Sequence, residues 1–469
     1  MPCGKLNRGI RLRLSRVSRR NAWGWLLSIA VVAKCLLIPI AAAQTATGAV
    51  EARPSVVPAI QILHTEHGTN SPQAMKAHYV VLVSLDGFRW DYAKKYGALH
   101  LLALGKQGVW APDGMYPSYP SLTFPNHYAI ATGLYPEHNG LVANSFLDPR
   151  RESEGKPDKY SIGDAQAVTD GSWYSGTPLW SLAEKQGMRS ACLFWPGSEA
   201  EIVGERPSEY LKFDDKVDES ARIAQVVAWL KEPESSRPHL IMLYYSDVDH
   251  AGHEFGPDAP ETRAAVLKVD ALVGKLRMAL KATRLPVDLI VVSDHGMVKI
   301  EGPWITLDTF ADLTGFETAG SLLYGKNEED RARVYNKLNH ASEKFEVYRR
   351  KDVPAGLHYN ENEREGDPVI VATGPYAIRA HGPAAGKPDS VPVGQHGFDP
   401  ARMPEMRASF FAMGPDILAG KTVAPFENVN LYPWIAHMLG LDAARSDGSL
   451  NILAGTLRDN GEGAGASKE

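Results

Sequence analysis

Acids and imidazoles fall in four short segments whose spacing suits metal chemistry. Asp249 and His253 lie four residues apart in Asp249-His250-Ala251-Gly252-His253. One helical turn separates them, so both side chains share a face and point at a common centre. Asp294-His295 is followed by Gly296, which lets the chain turn so that both side chains converge. Asp86 and His396 complete a set of three carboxylates and three imidazoles. Such donors suit two zinc-like ions, each with three or four protein ligands and a position left open for chemistry.

A hydroxyl joins this set. Thr123 precedes Phe124-Pro125 and the apolar run Tyr128 to Thr132, which stops at Gly133. The pattern predicts an N-cap followed by a short helix with proline in its first turn. A hydroxyl there sits beside unpaired backbone N–H groups at the positive end of a helix dipole, a place suited to phosphate. Thr123 is therefore the candidate nucleophile. Alone it would be an ordinary cap; the acids and imidazoles that could activate it make it more. His250 follows Asp249 directly and so faces away from the Asp249/His253 pair, which makes it a surface or supporting residue. His127 is expected to be packed or hydrogen-bonded to structure.

Three apolar runs of strand length end in these acids. Tyr79 to Leu85 runs into Asp86-Gly87, Leu240 to Tyr245 precedes Asp247-Val248-Asp249, and Val287 to Val292 precedes Ser293-Asp294. Ala191 to Trp195, Val369 to Ala372 and Ser409 to Met413 are further strands by the same criterion. Helical patterns lie between them at Thr177 to Gly187, Asp218 to Lys231 and Glu261 to Ala282, with a last helix at Asn430 to Leu439. Uniformly apolar strands alternating with amphipathic helices predict an α/β fold, a mostly parallel central sheet with helices on both faces. Ligands of such sheets gather beyond the carboxyl ends of the strands. Residues 307–378 have a different texture and are expected to form a small inserted α+β subdomain.

The N-terminus carries Arg8, Arg11, Arg13, Arg16, Arg19 and Arg20, then an apolar run from Trp23 to Ala43 ending in Ala41-Ala42-Ala43. This describes an export signal over residues 1–43 with cleavage before Gln44. Lys34 interrupts the run, Ser18-Arg19-Arg20 is a partial twin-arginine motif, and an uncleaved run of this length would anchor the chain in a membrane. Residues 44–77 are expected to be a flexible tether, 78–450 the catalytic domain and 451–469 a disordered tail. Of three cysteines, Cys3 and Cys35 lie in the signal. The mature chain would keep only Cys192, read as a buried strand residue, with no internal disulfide. A formal net charge of −5 gives no support to a nucleic-acid groove or a polybasic membrane surface. The oligomeric state is not encoded legibly.

Six segments carry a family resemblance: Ser84-Leu85-Asp86-Gly87-Phe88-Arg89, Thr123 to Tyr128, Thr132-Gly133-Leu134-Tyr135-Pro136, Asp249 to His253, Ser293-Asp294-His295-Gly296-Met297 and His396-Gly397-Phe398-Asp399. Together they resemble the nucleotide pyrophosphatase/phosphodiesterases of the alkaline phosphatase superfamily. The resemblance implies two Zn2+ ions, one held by Asp249, His253 and His396, the other by Asp86, Asp294, His295 and the Thr123 hydroxyl. It also implies that Asn144, with the Thr123 and Phe124 backbone N–H groups, holds a phosphoryl oxygen, and that Phe124 and Tyr244, with Tyr210 or Phe213, stack on a base. Val248, Asn139 and Ala143 depart from common family residues.

The activity so implied is zinc-dependent hydrolysis of nucleotide phosphodiester and pyrophosphate bonds, through a phospho-threonine, by an exported periplasmic or secreted enzyme. Its partners would be small nucleotides. A phosphodiesterase of lysophospholipid or choline phosphate esters is the nearest rival, followed by a phosphate monoesterase, although no phosphate-clamping arginine lies near Thr123. A non-enzymatic scaffold is excluded by the complete catalytic set.

Overall fold

The computed structural model describes residues 60–383, 386 and 389–458. The export signal, tether residues 44–59 and tail residues 459–469 lie outside the described residues. A nine-stranded sheet organises the rest. In chain order its strands are β1 (Leu63–His64), β2 (Tyr79–Leu85), β3 (Val109–Trp110), β4 (Ser190–Leu193), β5 (Glu209–Leu211), β6 (Leu240–Tyr245), β7 (Val287–Val292), β8 (Phe410–Met413) and β9 (Lys421–Thr422). They lie side by side as β1-β5-β4-β6-β2-β7-β8-β3-β9. The five central strands β5, β4, β6, β2 and β7 are mutually parallel, while β1 and β8 pair antiparallel with the strands beside them. The expected mostly parallel sheet is thus its centre.

Why these strands are apolar on both faces follows from their neighbours. Val80 and Leu82 of β2, Leu240 and Met242 of β6, and Ile290 and Val292 of β7 join one core, together with residues of helices Thr123–Thr132, Leu179–Lys185 and Leu431–Met438. The alternate residues, Val81 and Val83, Ile241 and Leu243, Leu289 and Val291, join a second core with helices Leu99–Gln107, Glu219–Leu230 and Pro260–Thr283. The two-residue strand period sends successive side chains to opposite faces, and each face is covered. Cys192 on β4 is fully buried in the first core, as expected.

Register decides where the strands end. Ser84 lies opposite both Tyr244 and Val292. The segments that follow, bearing Asp86, Asp249 and Asp294, therefore leave the sheet at one level.

Two expectations about the ends of the domain are corrected. The stretch assigned to the tether is structured from Ile60 on: β1 adds to the sheet edge at β5, Ile60 and Ile62 pack on the second core, and the Asn70 amide donates to the Glu234 and Arg237 carbonyls at 2.8 Å. Apolar residues are few there, but backbone pairing to an open edge makes up for them. Likewise residues 451–458 are not a loose tail. Leu453 is fully buried, Thr456 accepts from the Trp434 indole at 3.2 Å, and the Arg458 N–H donates to Asp416 O at 2.8 Å.

The insert has its own small core of Leu307, Leu313, Leu323, Val334, Leu338, Phe345 and Val347. It contains a charged helix, Glu328–Leu338, and a strand, Phe345–Tyr348, paired with Val369–Ala372. Ile305–Thr306 runs parallel to Ile378–Arg379 and closes its neck. Buried Arg364 ties the insert to the catalytic domain. It donates to Asp148 at 2.8 Å and to the carbonyls of Gly140 and Trp173 at 2.8 and 2.7 Å, beside the loop that leads to Asn144.

Next to it Glu365 is wholly buried and neither carboxyl oxygen has a hydrogen-bond partner. Burial first, then the charge of Glu137, push its pKa up to about 9. The folded chain therefore holds a proton that the unfolded chain releases near the ordinary carboxyl value of 4.5. That contribution is complete below the unfolded pKa and is lost as pH rises toward the folded one, at up to about 1.4 kcal/mol per pH unit. Glu365→Gln should flatten the pH dependence of the urea midpoint between these limits; a variant whose midpoint tracks the parent at every pH would refute the assignment.

Candidate active site

Beyond the carboxyl ends of β2, β6 and β7 the helix Thr123–Thr132 points its N-terminus at the acids. Thr123 is its first residue, not its cap: Leu122 takes the extended cap conformation, with φ −109° and ψ 156°, and its apolar side chain makes no capping hydrogen bond. The expected capping role is thereby corrected, and the Thr123 hydroxyl is released toward the cluster, 3.3 Å from His295 Nε2. The helix stops at Gly133, φ +68°, as expected.

Asn144 accepts from the Phe124 N–H at 3.0 Å through Oδ1. The Phe124 N–H is thus already satisfied, contrary to the oxyanion role expected of it. With its oxygen held, Asn144 presents the two donors of Nδ2 instead.

Two residues not foreseen as part of the site hold this turn in place. Asn126 is buried; its Nδ2 donates to the carbonyls of Pro120 and Leu122 at 3.0 and 2.9 Å, while its Oδ1 accepts from the Ser118 N–H at 2.7 Å. A buried asparagine in a first helical turn is the only trace it leaves in the sequence. Gly87, φ +66°, sends its N–H to Asp294 Oδ1 at 3.1 Å, and a Cβ there would meet Asp249 Cα at 2.9 Å. No other residue lets these two segments approach so closely.

The metal-ligating candidates converge in two groups, Asp249 with His295 and His396, and Asp86 with Asp294 and His295. His253 joins the first: its Nε2 lies 3.1 Å from His396 Nε2 and 3.4 Å from Asp249 Oδ1. In the second, His295 Nε2 lies 2.9 Å from Asp294 Oδ2 and 3.4 Å from Asp86 Oδ1. Helix Asp247–Phe255 supplies the Asp249/His253 pair as the spacing required.

Each imidazole is aimed by its other nitrogen. The Nδ1 atoms of His253, His295 and His396 face the carbonyls of Gly394, Gly296 and Ser121, each at 2.9 Å. Carbonyls only accept, so each Nδ1 carries the proton and each Nε2 offers a lone pair inward. Asp86 Oδ1, Asp249 Oδ1 and Asp294 Oδ2 are buried without a hydrogen-bond partner. Three orphaned carboxylate oxygens facing inward lone pairs are what divalent cations would satisfy.

Buried charge couples these groups: burial would lower His295, but Asp294 beside it raises it. Burial, then the charges of Asp294 and Asp249, hold the Asp86 carboxyl well above the usual range. Asp249 is also raised, by burial that His253 and His295 only partly offset. Burial would raise Asp294 too, but His295 and His127 beside it hold it low. Burial, with His295 and His253 nearby, pushes His396 well below its ordinary value, into the neutral form that binds metal.

His127 is fully buried in a supporting role, as expected. Its Nδ1 donates to Thr123 O at 2.8 Å and its Nε2 pairs with Ser84 Oγ at 2.8 Å.

A cavity of about 250 Å³ opens beside Thr123, lined by Phe124, Trp195, Phe213 and Tyr244 together with Asp86 and Asp249. Exposed His250 stands among its lining. Of the base-stacking candidates, Tyr244 lines it but is tied down, its hydroxyl donating to Asp86. Tyr210 does not line it: this residue sits on β5 and packs against the first core. Half-exposed Phe213 takes that place, because the chain leaves β5 at Leu211 and turns toward the strand ends.

Paired acid–imidazole groups beyond the carboxyl ends of a mixed α/β sheet, beside a hydroxyl at a helix N-terminus, define an alkaline phosphatase-like fold and site. The sequence pattern of the type I phosphodiesterase / nucleotide pyrophosphatase family matches residues 80–399. The chain is 35% identical over 402 residues to an uncharacterized pyrophosphatase/phosphodiesterase of Schizosaccharomyces pombe, covering 82% of this chain and 80% of that protein. It is 32% identical over 378 residues to human ectonucleotide pyrophosphatase/phosphodiesterase family member 5, covering 79% and 76%. The solved structure of an inactive threonine-to-alanine variant of murine member 5, in complex with AMP, matches with a TM-score of 0.74 at 30% identity, over 81% of this chain and all of that one. The chain belongs to the type I phosphodiesterase / nucleotide pyrophosphatase family, within the alkaline phosphatase superfamily.

Proposed function

We propose that the protein is a zinc-dependent hydrolase of nucleotide phosphodiester and pyrophosphate bonds that releases a nucleoside 5′-monophosphate through a phospho-threonine. The observation that carries this reading is the Thr123 hydroxyl, free of capping duty and 3.3 Å from His295, facing a pocket of orphaned carboxylate oxygens. The donor set fits two Zn2+ ions, one on Asp249, His253 and His396, the other on Asp86, Asp294, His295 and Thr123. When bound, they supply Lewis acidity that lowers the hydroxyl pKa and offsets charge on the leaving oxygen.

The remaining work falls to side chains. Thr123 Oγ1 forms a bond to phosphorus as the bond to the leaving oxygen breaks, and water then cleaves the phospho-threonine. Asn144 Nδ2 donates to a non-bridging oxygen, pre-aimed because Oδ1 is held by Phe124 N–H. Phe124 and Phe213 offer their faces to a base in the adjoining cavity. The AMP complex of the murine relative and the threonine-to-alanine change of that inactive variant support both the nucleotide and the nucleophile.

The N-terminal arginines and apolar run support export to the periplasm or beyond. Among the described residues no helix is long and apolar enough to cross a membrane.

Diester and monoester readings separate on one pair of substrates. A nitrophenyl ester of a nucleoside 5′-phosphate should be hydrolysed with a kcat/KM at least about tenfold above that of nitrophenyl phosphate, because only the former fills the aromatic cavity. A faster monoester would overturn the assignment, and a preference for choline lipid esters would assign the aromatic residues to packing.

A further inference from the structure

Asn144 stands at the end of a loop. Helix Pro136–Asn139 stops before Gly140 and strand Ser145–Ser153 starts after Asn144, so residues 140–144 belong to neither. Buried carbonyls in such a loop need partners from elsewhere. Here the partners come from the insert. The Tyr359 hydroxyl donates to Val142 O at 3.0 Å, two residues before Asn144. Arg364 donates to Gly140 O at 2.8 Å on the same side and to Asp148 Oδ2 at 2.8 Å on the other. The Tyr324 hydroxyl accepts from the Leu147 N–H at 3.1 Å and donates to Arg364 O at 2.7 Å, which joins the two flanks. Tyr324, Tyr359 and Arg364 are all buried.

Tyr359 reaches furthest. The short turn Ala355–Leu357 ends at His358, whose φ of +48° puts it in the left-handed region. The next residue, Tyr359, leaves the insert's own core and joins the first core beneath the sheet. Its ring meets that of Tyr119 edge to face, with centroids 5.2 Å apart, and Tyr119 lies four residues before Thr123. One side chain of the insert thus touches both the turn that leads to the nucleophile and the loop that leads to Asn144.

We infer that Tyr359 is a positioning residue for the reaction: through Val142 its hydroxyl sets the loop from which Asn144 Nδ2 reaches the phosphoryl oxygen, and bracing that loop is a function of the insert. The inference rests on the phosphodiesterase reading of the site and adds a residue to it. The bond from Phe124 N–H at 3.0 Å fixes the Asn144 side-chain oxygen, but the backbone that carries the side chain is fixed from the insert. A donor aimed at developing charge must be in place before the charge appears. Displacement by about 1 Å can cost on the order of a hundredfold in rate.

The test is a double-mutant cycle read on the nitrophenyl ester of a nucleoside 5′-phosphate. Tyr359→Phe deletes one hydroxyl and keeps the ring against Tyr119, so the variant should fold and hold its metal. Its kcat and kcat/KM should fall together by at least about fivefold with KM unchanged, the mark of an interaction felt only in the transition state. In an Asn144→Ala background the same change should cost less than about twofold, because the group it positions is gone. Val334→Ala is the control, a cavity in the insert's own core apart from these bonds. It should lower the melting temperature and leave kcat at the parent value. Parent rates in Tyr359→Phe, an equal loss in both backgrounds, or an equal loss in Val334→Ala would each overturn the inference. An Asn144→Ala variant as active as the parent overturns instead the reading of Asn144 beneath it.

Discussion

Thr123→Ala should reduce turnover of a nucleotide diester by at least about a thousandfold, because it removes the hydroxyl proposed to form the covalent intermediate. Thr123 is the first residue of its helix and caps nothing, so the variant should melt close to the parent temperature. Nor does alanine lower helix propensity there. A capping threonine would have behaved differently, losing about 1 kcal/mol of stability. The measurement is a rapid-quench search for radiolabel on the chain, together with steady-state rates. Parent enzyme quenched during turnover should carry acid-stable phosphate on Thr123 and the variant none. Wild-type rates in the variant would sink the covalent route.

Removal of divalent cations should have a comparable effect for a different reason. Dialysis against a strong chelator is expected to lower activity by about a thousandfold or more, as the Lewis acidity that offsets developing charge is worth several kcal/mol. The melting temperature should fall with it. Asp86, Asp249 and Asp294 are each buried, and each has an oxygen with no hydrogen-bond partner, so the cation-free site leaves three buried acceptors unsatisfied. Zinc should restore both properties, and elemental analysis of the restored protein should find two ions per chain. Activity that survives chelation in a protein shown to be metal-free would refute the proposed cofactor. A restored stoichiometry of one would refute the division of ligands into two sites.

Much of this was legible in the sequence because it depended on local patterns. The runs Tyr79 to Leu85, Leu240 to Tyr245 and Val287 to Val292 had to be strands, since predominantly apolar stretches of seven or six residues are too short for a helix buried on all sides. Each ended in acids, which located the site at the strand ends. Asp249 and His253 were assigned to one ligand group because the helical repeat leaves them no other relation. Asp218 and Lys231 bounded their helix for equally local reasons of capping. The edges of the domain were harder. Ile60 to His64 looks like linker because an edge strand draws its stability from the backbone of the strand beside it, and composition does not record that.

The sequence by itself determined the ligand types, the candidate nucleophile, the parallel core and the family, all of which rest on residue identity and short spacing. Tertiary structure alone decided how those residues act on one another. It released the Thr123 hydroxyl by giving the cap to Leu122, occupied the Phe124 N–H with Asn144, and put Phe213 rather than Tyr210 at the cavity wall. These outcomes depend on contacts between residues tens to hundreds of positions apart, and on which donor reaches which acceptor first. Local pattern carries no record of that competition, because its result is set by packing of the whole chain.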